Sequence, residues 1–201
     1  VCVEMERMAL AEKPVDVYGL YAPFAWGIGN SDTFVGTSFA WRETNLPSVD
    51  LGFPLTQDMS IDLTFSIEAT EPCASTHGIF GARNGASSHN VGVAFYGKSG
   101  EDGTESLYLD FNNSQYSDYR VTYQASSVRH KVYRAQLSAR QRVLTDVATG
   151  TVLAENTKVC PDTITTSSAR LFGMNGLGYA CSVNVYALTI RRGDLMLHNY
   201  K

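Results

Sequence analysis

Helical periodicity is what this sequence has least of. Only Met5, Met8, Ala9 and Leu10, set among the charges of residues 1–13, have helical spacing, and Pro14 would end that segment. With no long amphipathic stretch elsewhere, helix bundles and doubly wound α/β folds are excluded. Charge is also sparse: 16 basic residues stand against 20 acidic ones, for a formal net charge of −4, and no block of like charge occurs. The footprint of a nucleic-acid or anionic-membrane binder is therefore absent. No apolar run reaches the roughly eighteen residues of a membrane-spanning helix, and no signal-peptide pattern is present. The chain opens on Val1, as a mature or trimmed piece would. The four cysteines, Cys2, Cys73, Cys160 and Cys181, are scattered and form no C-x-x-C pair, which excludes a disulfide-dense miniature scaffold. Cys160 and Cys181 flank a plausible hairpin, and either a bridge or two buried thiols would suit them. No repeat of about 20–50 residues points to a propeller or solenoid.

What is present is alternation. Hydrophobic residues make up 44% of the 201, enough for a core, and single β-sandwich domains commonly run to roughly 200–250 residues. In SIDLTFSIEA, Ile61, Leu63, Phe65 and Ile67 occupy one face and Asp62, Thr64, Ser66 and Glu68 the other, the pattern of a half-buried strand. Before it, Ser48 to Phe53 reads as a strand and Pro54 to Asp58 as a turn; still earlier, 15–41 reads as two irregular aromatic strands. HGIFGARN follows, with Gly78 and Gly81 marking a strand crossed closely by a neighbour. NVGVAFYG, ESLYLDFNN, YRVTYQA, KVYRAQL, 142–145, 150–155 and 169–174 continue the series, and DVATG at 146–150 supplies a tight turn. The last 22 residues, ACSVNVYALTIRRGDLMLHNYK, read as a closing hairpin turning at Arg192-Gly193-Asp194. In it Val183, Val185 and Ala187 alternate with Tyr186, Leu188 and Ile190, which predicts apolar side chains on both faces. About eleven to thirteen short strands suit an all-β, two-sheet antiparallel jelly-roll sandwich.

The series Leu51-Gly52, SIDLTFSI, GIFGAR at 78–83, ARLFGMN at 169–175, and VNVYALTI closing into GDLMLHNY resembles the laminin-G-like jelly roll of the concanavalin A-like lectin/glucanase superfamily. The resemblance covers roughly Asn45 to Lys201. It implies a jelly-roll domain over 46–201, with 1–45 as an N-terminal extension, a short helix or tail included, packed on the sandwich. It also implies an extracellular or cell-surface module of a larger protein or assembly, with further sequence beyond Lys201. Relatives of this architecture include lectins, carbohydrate-binding modules and some glycanases.

A glycanase of that superfamily needs paired carboxylates, about 5 Å apart when the mechanism is retaining. The expected Glu-x-Asp-x-x-Glu is missing: Glu68-Ala-Thr-Glu71 lacks the middle acid and runs into Pro72. Asp62 and Glu68 lie about 20 Å apart along an extended strand. A non-enzyme is expected, with an enzyme acting on polysaccharide as the remaining alternative. No cofactor is indicated; calcium is the possible metal, at the acidic turn 101–105 or at Asp110-Phe111-Asn112-Asn113, which partly echoes a lectin calcium motif. A Cys73/His77 zinc pair is a weaker option, and His89, His130 and His198 read as surface residues. Sugar recognition needs an aromatic face and planar polar groups on one surface. The middle strands offer Arg83, Tyr96, Tyr108 with Asp110, Arg120 with Thr122 and Gln124, and Arg134 with Gln136. As neighbours, these strands would present one polar patch, which would also pass for the wet side of a sheet. Arg83, Tyr96, Tyr108, Asp110, Arg120 and Arg134 are the candidate ligand-binding residues. Trp26 and Trp41 are further candidates for stacking. A glycan or a protein partner is expected, with no nucleic acid and no membrane insertion.

Overall fold

A computed structural model of the chain describes residues 37–39, 49–68, 76–84, 88–97, 103–114, 118–160, 163–174 and 183–200. The N-terminal helix or tail, Trp26, Trp41, Glu71, Cys73 and Cys181 lie outside them. Among the described residues thirteen strands form: β1 Thr37–Phe39, β2 Val49–Thr56, β3 Met59–Ile67, β4 Thr76–Asn84, β5 Ser88–Tyr96, β6 Glu105–Ser114, β7 Val121–Ala125, β8 Val132–Ser138, β9 Arg142–Asp146, β10 Val152–Asn156, β11 Thr165–Leu171, β12 Val183–Arg192 and β13 Leu195–Tyr200. A seven-stranded sheet runs β1-β12-β3-β8-β9-β10, with β13 also on β12; a six-stranded sheet runs β2-β11-β4-β5-β6-β7. Every pairing is antiparallel. β1 falls inside the first 45 residues and joins the sandwich through β12.

The two sheets face each other across a core supplied by alternate residues. β3 behaves as its sequence predicts: Met59, Ile61, Leu63, Phe65 and Ile67 are all buried, while Asp62 and Thr64 face outward. From the six-stranded sheet, Phe80, Val91, Val93, Phe95, Leu107, Leu109 and Phe111 meet them. Each such side chain contributes roughly 1.5–3 kcal/mol by leaving water.

Three strand expectations change. Strict alternation put apolar residues on both faces of β12, but the pairing with β3 slips between Val185 and Ala187, leaving Tyr186 as an extra residue. The bulge reverses the phase, so Val183 and Val185 before it and Leu188 and Ile190 after it all enter the same core. The turn expected over 54–58 is only Gln57-Asp58; β2 continues through Pro54, which an edge strand tolerates because proline has no N–H to give. β11 begins earlier than expected and ends at Leu171. Phe172, at φ 58, then turns the chain out of the sheet, while its N–H donates to the Ile79 carbonyl at 2.8 Å. The turn at 146–150 forms as read, with Asp146 Oδ1 accepting from the N–H groups of Ala148 and Thr149 at 2.9 and 3.2 Å. Cys160 is buried as a free thiol.

Candidate functional site

The core takes alternate residues of β4 to β7, so the remaining ones form rows across the outer face of the six-stranded sheet. Tyr96 stands opposite Ser106, and Ser106 opposite Gln124. In the next row Ala94 faces Tyr108, and Tyr108 faces Thr122. A third row runs from Asp50 through Arg170, Gly81 and Gly92 to Asp110. Arg83 is in register with Asn90, and Asn90 with Asn112. Four of the six candidate ligand residues, Arg83, Tyr96, Tyr108 and Asp110, therefore share one sheet, and Arg120 immediately precedes its strand β7.

Four of the six also interact. The Tyr96 and Tyr108 rings lie 6.5 Å apart, tilted by 48°. The Arg120 guanidinium sits over Tyr108, 4.9 Å from the ring centre, and donates to both oxygens of Asp110 at 2.8 and 3.0 Å. Asn112 Nδ2 donates to the same Asp110 carboxylate at 2.9 Å. Asp110 is only 6% exposed, whereas the two tyrosines are half-buried and Arg120 keeps about a third of its side chain in solvent. Burial works against the Arg120 charge, but the Asp110 carboxylate outweighs it, and the guanidinium is held above its ordinary value. The result is a fixed cluster of tilted rings, a stacked guanidinium and a carboxylate.

The patch is braced from the other sheet. Asn156 at the end of β10 donates through Nδ2 to the carbonyls of Asp118 and Arg120 at 2.7 and 3.1 Å. Its side-chain oxygen accepts from Arg142 Nη2 at 2.9 Å. Arg142 is completely buried and also donates to the carbonyls of Ala139 and Lys158 at 3.2 and 2.7 Å. Burial lowers its pKa, yet carbonyls and an amide, not a carboxylate, receive its donated hydrogen bonds.

Arg134 is separated from the group. It lies on β8 in the seven-stranded sheet, where it clamps both oxygens of Asp62 on neighbouring β3. The expected continuous patch is therefore divided, because β8 leaves β7 for the opposite sheet. Arg83 is 8% exposed, and its carbonyl accepts from Ser167 Oγ at 2.9 Å.

Other candidates acquire partners that define their roles. Glu105, from the acidic turn, is buried and accepts from Arg129 Nε, Ser127 Oγ and the Val128 N–H. Among the described residues, no group of three or more His, Cys, Asp or Glu is placed to hold a metal. His77 is buried beside Phe95, with ring centres 6.3 Å apart. His130 is exposed and pairs with Glu68 at 2.9 Å. Burial opposes the Glu68 charge, but hydrogen bonds from Ser66 and His130 prevail and lower its pKa. His198 is not a plain surface residue: it is half-buried, stacks on Phe53 at 4.2 Å and 7°, and its pKa is lowered by burial.

Sequence patterning read Asn112 only as part of a partial calcium motif, and did not find the Arg170–Asp50 pair or the placement of Met174. The glycines were the available signal. A methyl group at Gly78, Gly81 or Gly92 would come within 2.6–2.7 Å of Met174 or its backbone, so Met174 lies in a glycine trough beside Asp110.

No protein-family model matches the chain, and no curated protein matches it in sequence. Among solved structures, domains LG4-5 of the mouse laminin alpha1 chain align at a TM-score of 0.50 and 17% identity, over 82% of this chain and 44% of that one. The fold is a laminin-G-like jelly roll. This jelly roll thus spans less than half the length of that laminin fragment. It is also similar to the heptameric SAP-like pentraxin of Limulus polyphemus, with TM-score 0.49, 13% identity and coverage of 77% and 74%. A third similar structure is the Ruminococcus gnavus IT-sialidase CBM40, with TM-score 0.41, 14% identity and coverage of 75% and 89%.

Proposed function

We propose that this jelly roll is a non-catalytic binding module for glycan, carried on a secreted or surface protein. One observation carries the proposal: Tyr96, Tyr108, Arg120 and Asp110 form a single pre-set aromatic and polar surface on the outer face of the six-stranded sheet. Aromatic faces pack against the C–H surface of a sugar ring, and a planar guanidinium held by a carboxylate offers hydroxyl groups fixed partners at little entropic cost. The pairing of acids among the described residues supports a non-catalytic role. Asp62, Glu68, Glu105 and Asp110 are each tied to a basic side chain, and the lowered pKa of Glu68 is the reverse of what a general acid requires. The test is a glycan array probed with the wild type and with Tyr108→Ala and Arg120→Ala. Binding that falls about tenfold or more in both variants, with unchanged circular dichroism, is expected. Undiminished binding in both would remove the site.

Docking on protein, in a cell-surface or virion assembly, is the second reading. It is favoured by Leu195 and Met196, 64% and 44% exposed at the tip of the closing hairpin, with residues 1–45 as a further contact. An empty array together with a partner cross-linked through the hairpin would select it.

A further inference from the structure

The outer face of the seven-stranded sheet carries a groove of about 350 Å³, at the lower end of the range for small-ligand pockets. Two adjacent rows of polar residues form its floor across β12, β3 and β8. Thr189 is in register with Asp62, and Asp62 with Gln136; Arg191 is in register with Ser60, and Ser60 with Ser138. Ile61 and Leu137 contribute only the backbone between these rows, because their side chains are in the core.

The charges in this groove do not cancel. The Asp62 carboxylate is neutralised by Arg134 and accepts a further, longer contact from Gln136 Nε2 at 3.4 Å. Glu155 is bound by Gln141 Nε2 at 2.7 Å and does not line the groove. Arg192 is paired with Asp58 at 3.0 Å. Arg191 lines the groove, is exposed, and its side chain has no hydrogen bond or ion pair among the described residues. An uncompensated guanidinium thus stands beside a row of hydroxyl, carboxylate and amide groups, in a chain whose net charge is −4. Non-specific attraction of anions by such a chain is weak, so the cation acts locally.

We infer that this groove binds a carboxylate-bearing sugar unit, a hexuronate of an acidic polysaccharide. Its carboxylate would sit on Arg191, and its hydroxyl groups would be held by Asp62, Gln136 and Thr189. Guanidinium and carboxylate match as planar, bidentate partners, and the Asp62–Gln136 row supplies both acceptors and donors for neighbouring hydroxyls. The site uses none of the residues of the Tyr108 face, so it stands or falls separately from the proposal for that face.

The experiment is an amide-resolved NMR titration at fixed ionic strength, with trigalacturonate as the acidic probe and maltotriose as the neutral one. Wild type, Arg191→Gln and Gln136→Ala are compared. Trigalacturonate is expected to shift the amides of Ser60, Gln136, Thr189 and Arg191, and to bind about tenfold more weakly to Arg191→Gln. Maltotriose is expected to leave those amides unshifted. Arg191 is exposed and unpaired, so its substitution leaves the fold intact, and Gln136→Ala gives a second variant that retains the charge. The inference is overturned by equal affinity in Arg191→Gln, by equal response to maltotriose, or by shifts confined to Tyr108 and Arg120.

Discussion

A methyl group added at Gly92 would point into the carbonyl oxygen of Phe80 at 2.2 Å, and at Gly81 into that of Val91, also at 2.2 Å. Neither oxygen can move without breaking the β4–β5 ladder, and both glycines have positive φ, 151° and 146°. Gly92→Ala is therefore expected to cost about 2–4 kcal/mol, read as a lower urea midpoint at unchanged slope. Gly150→Ala is the control: it has positive φ but nothing within 4 Å, and should cost only about 1–2 kcal/mol. At this scale the sequence was half legible. The spacing of Gly78 and Gly81 announced a close crossing, but Met174 arrives through Phe172 at φ 58, a conformation that non-glycine residues seldom advertise. The Tyr108–Arg120 contact was likewise legible only as two residue types, since a guanidinium lying on a ring depends on side-chain direction and not on strand period.

Among the elements, β3 and β12 show what period two can and cannot reveal. β3 itself carries no extra residue in either of its ladders, so its apolar alternation maps onto the core, with Ser66 also buried on the polar side. In β12 the apolar positions 183, 185, 188 and 190 contain one step of three, which is the mark a bulge leaves in sequence; strict alternation reads the same residues as two apolar faces. Deleting Tyr186 would bring those four positions into continuous phase and leave both flanking registers intact. The variant without Tyr186 is expected to fold, with stability within about 2 kcal/mol of the wild type. Removing Thr64 from regular β3 would turn half of its core residues to solvent and is expected to prevent folding. Circular dichroism and urea melts of the two deletions distinguish these outcomes; failure of both would show that the bulge itself is required.

At the scale of the whole molecule, sheet membership decides what the strand pattern leaves open. Arg134 was grouped with Tyr108 because β8 follows β7 in sequence, but the chain crosses to the opposite sheet between them, and period two is the same on either side. The crossing is secured by Arg142, which links the 138–142 turn, the 156–158 segment and, through Asn156, the carbonyl of Arg120. Arg142→Met keeps the volume and leaves buried carbonyls unpaired, so a loss of about 2–4 kcal/mol is expected, with weaker ligand binding at the Tyr108 face. Urea unfolding reads the first and titration the second; a fully stable Arg142→Met would show that water replaces the guanidinium. The same topology also constrains how the protein is made. β3 lies between β8 and β12, and β2 waits for β11, with Leu55 N–H donating to Thr166 Oγ1 across 111 positions of chain. On a ribosome adding about 5–20 residues per second, one edge of β3 stays uncovered for on the order of ten seconds, with Ile61, Leu63 and Phe65 already outside. Synthesis of this module thus contains an interval in which its most regular strand is its most adhesive one, and the strand that ends it, β12, is separated from it by most of the jelly roll.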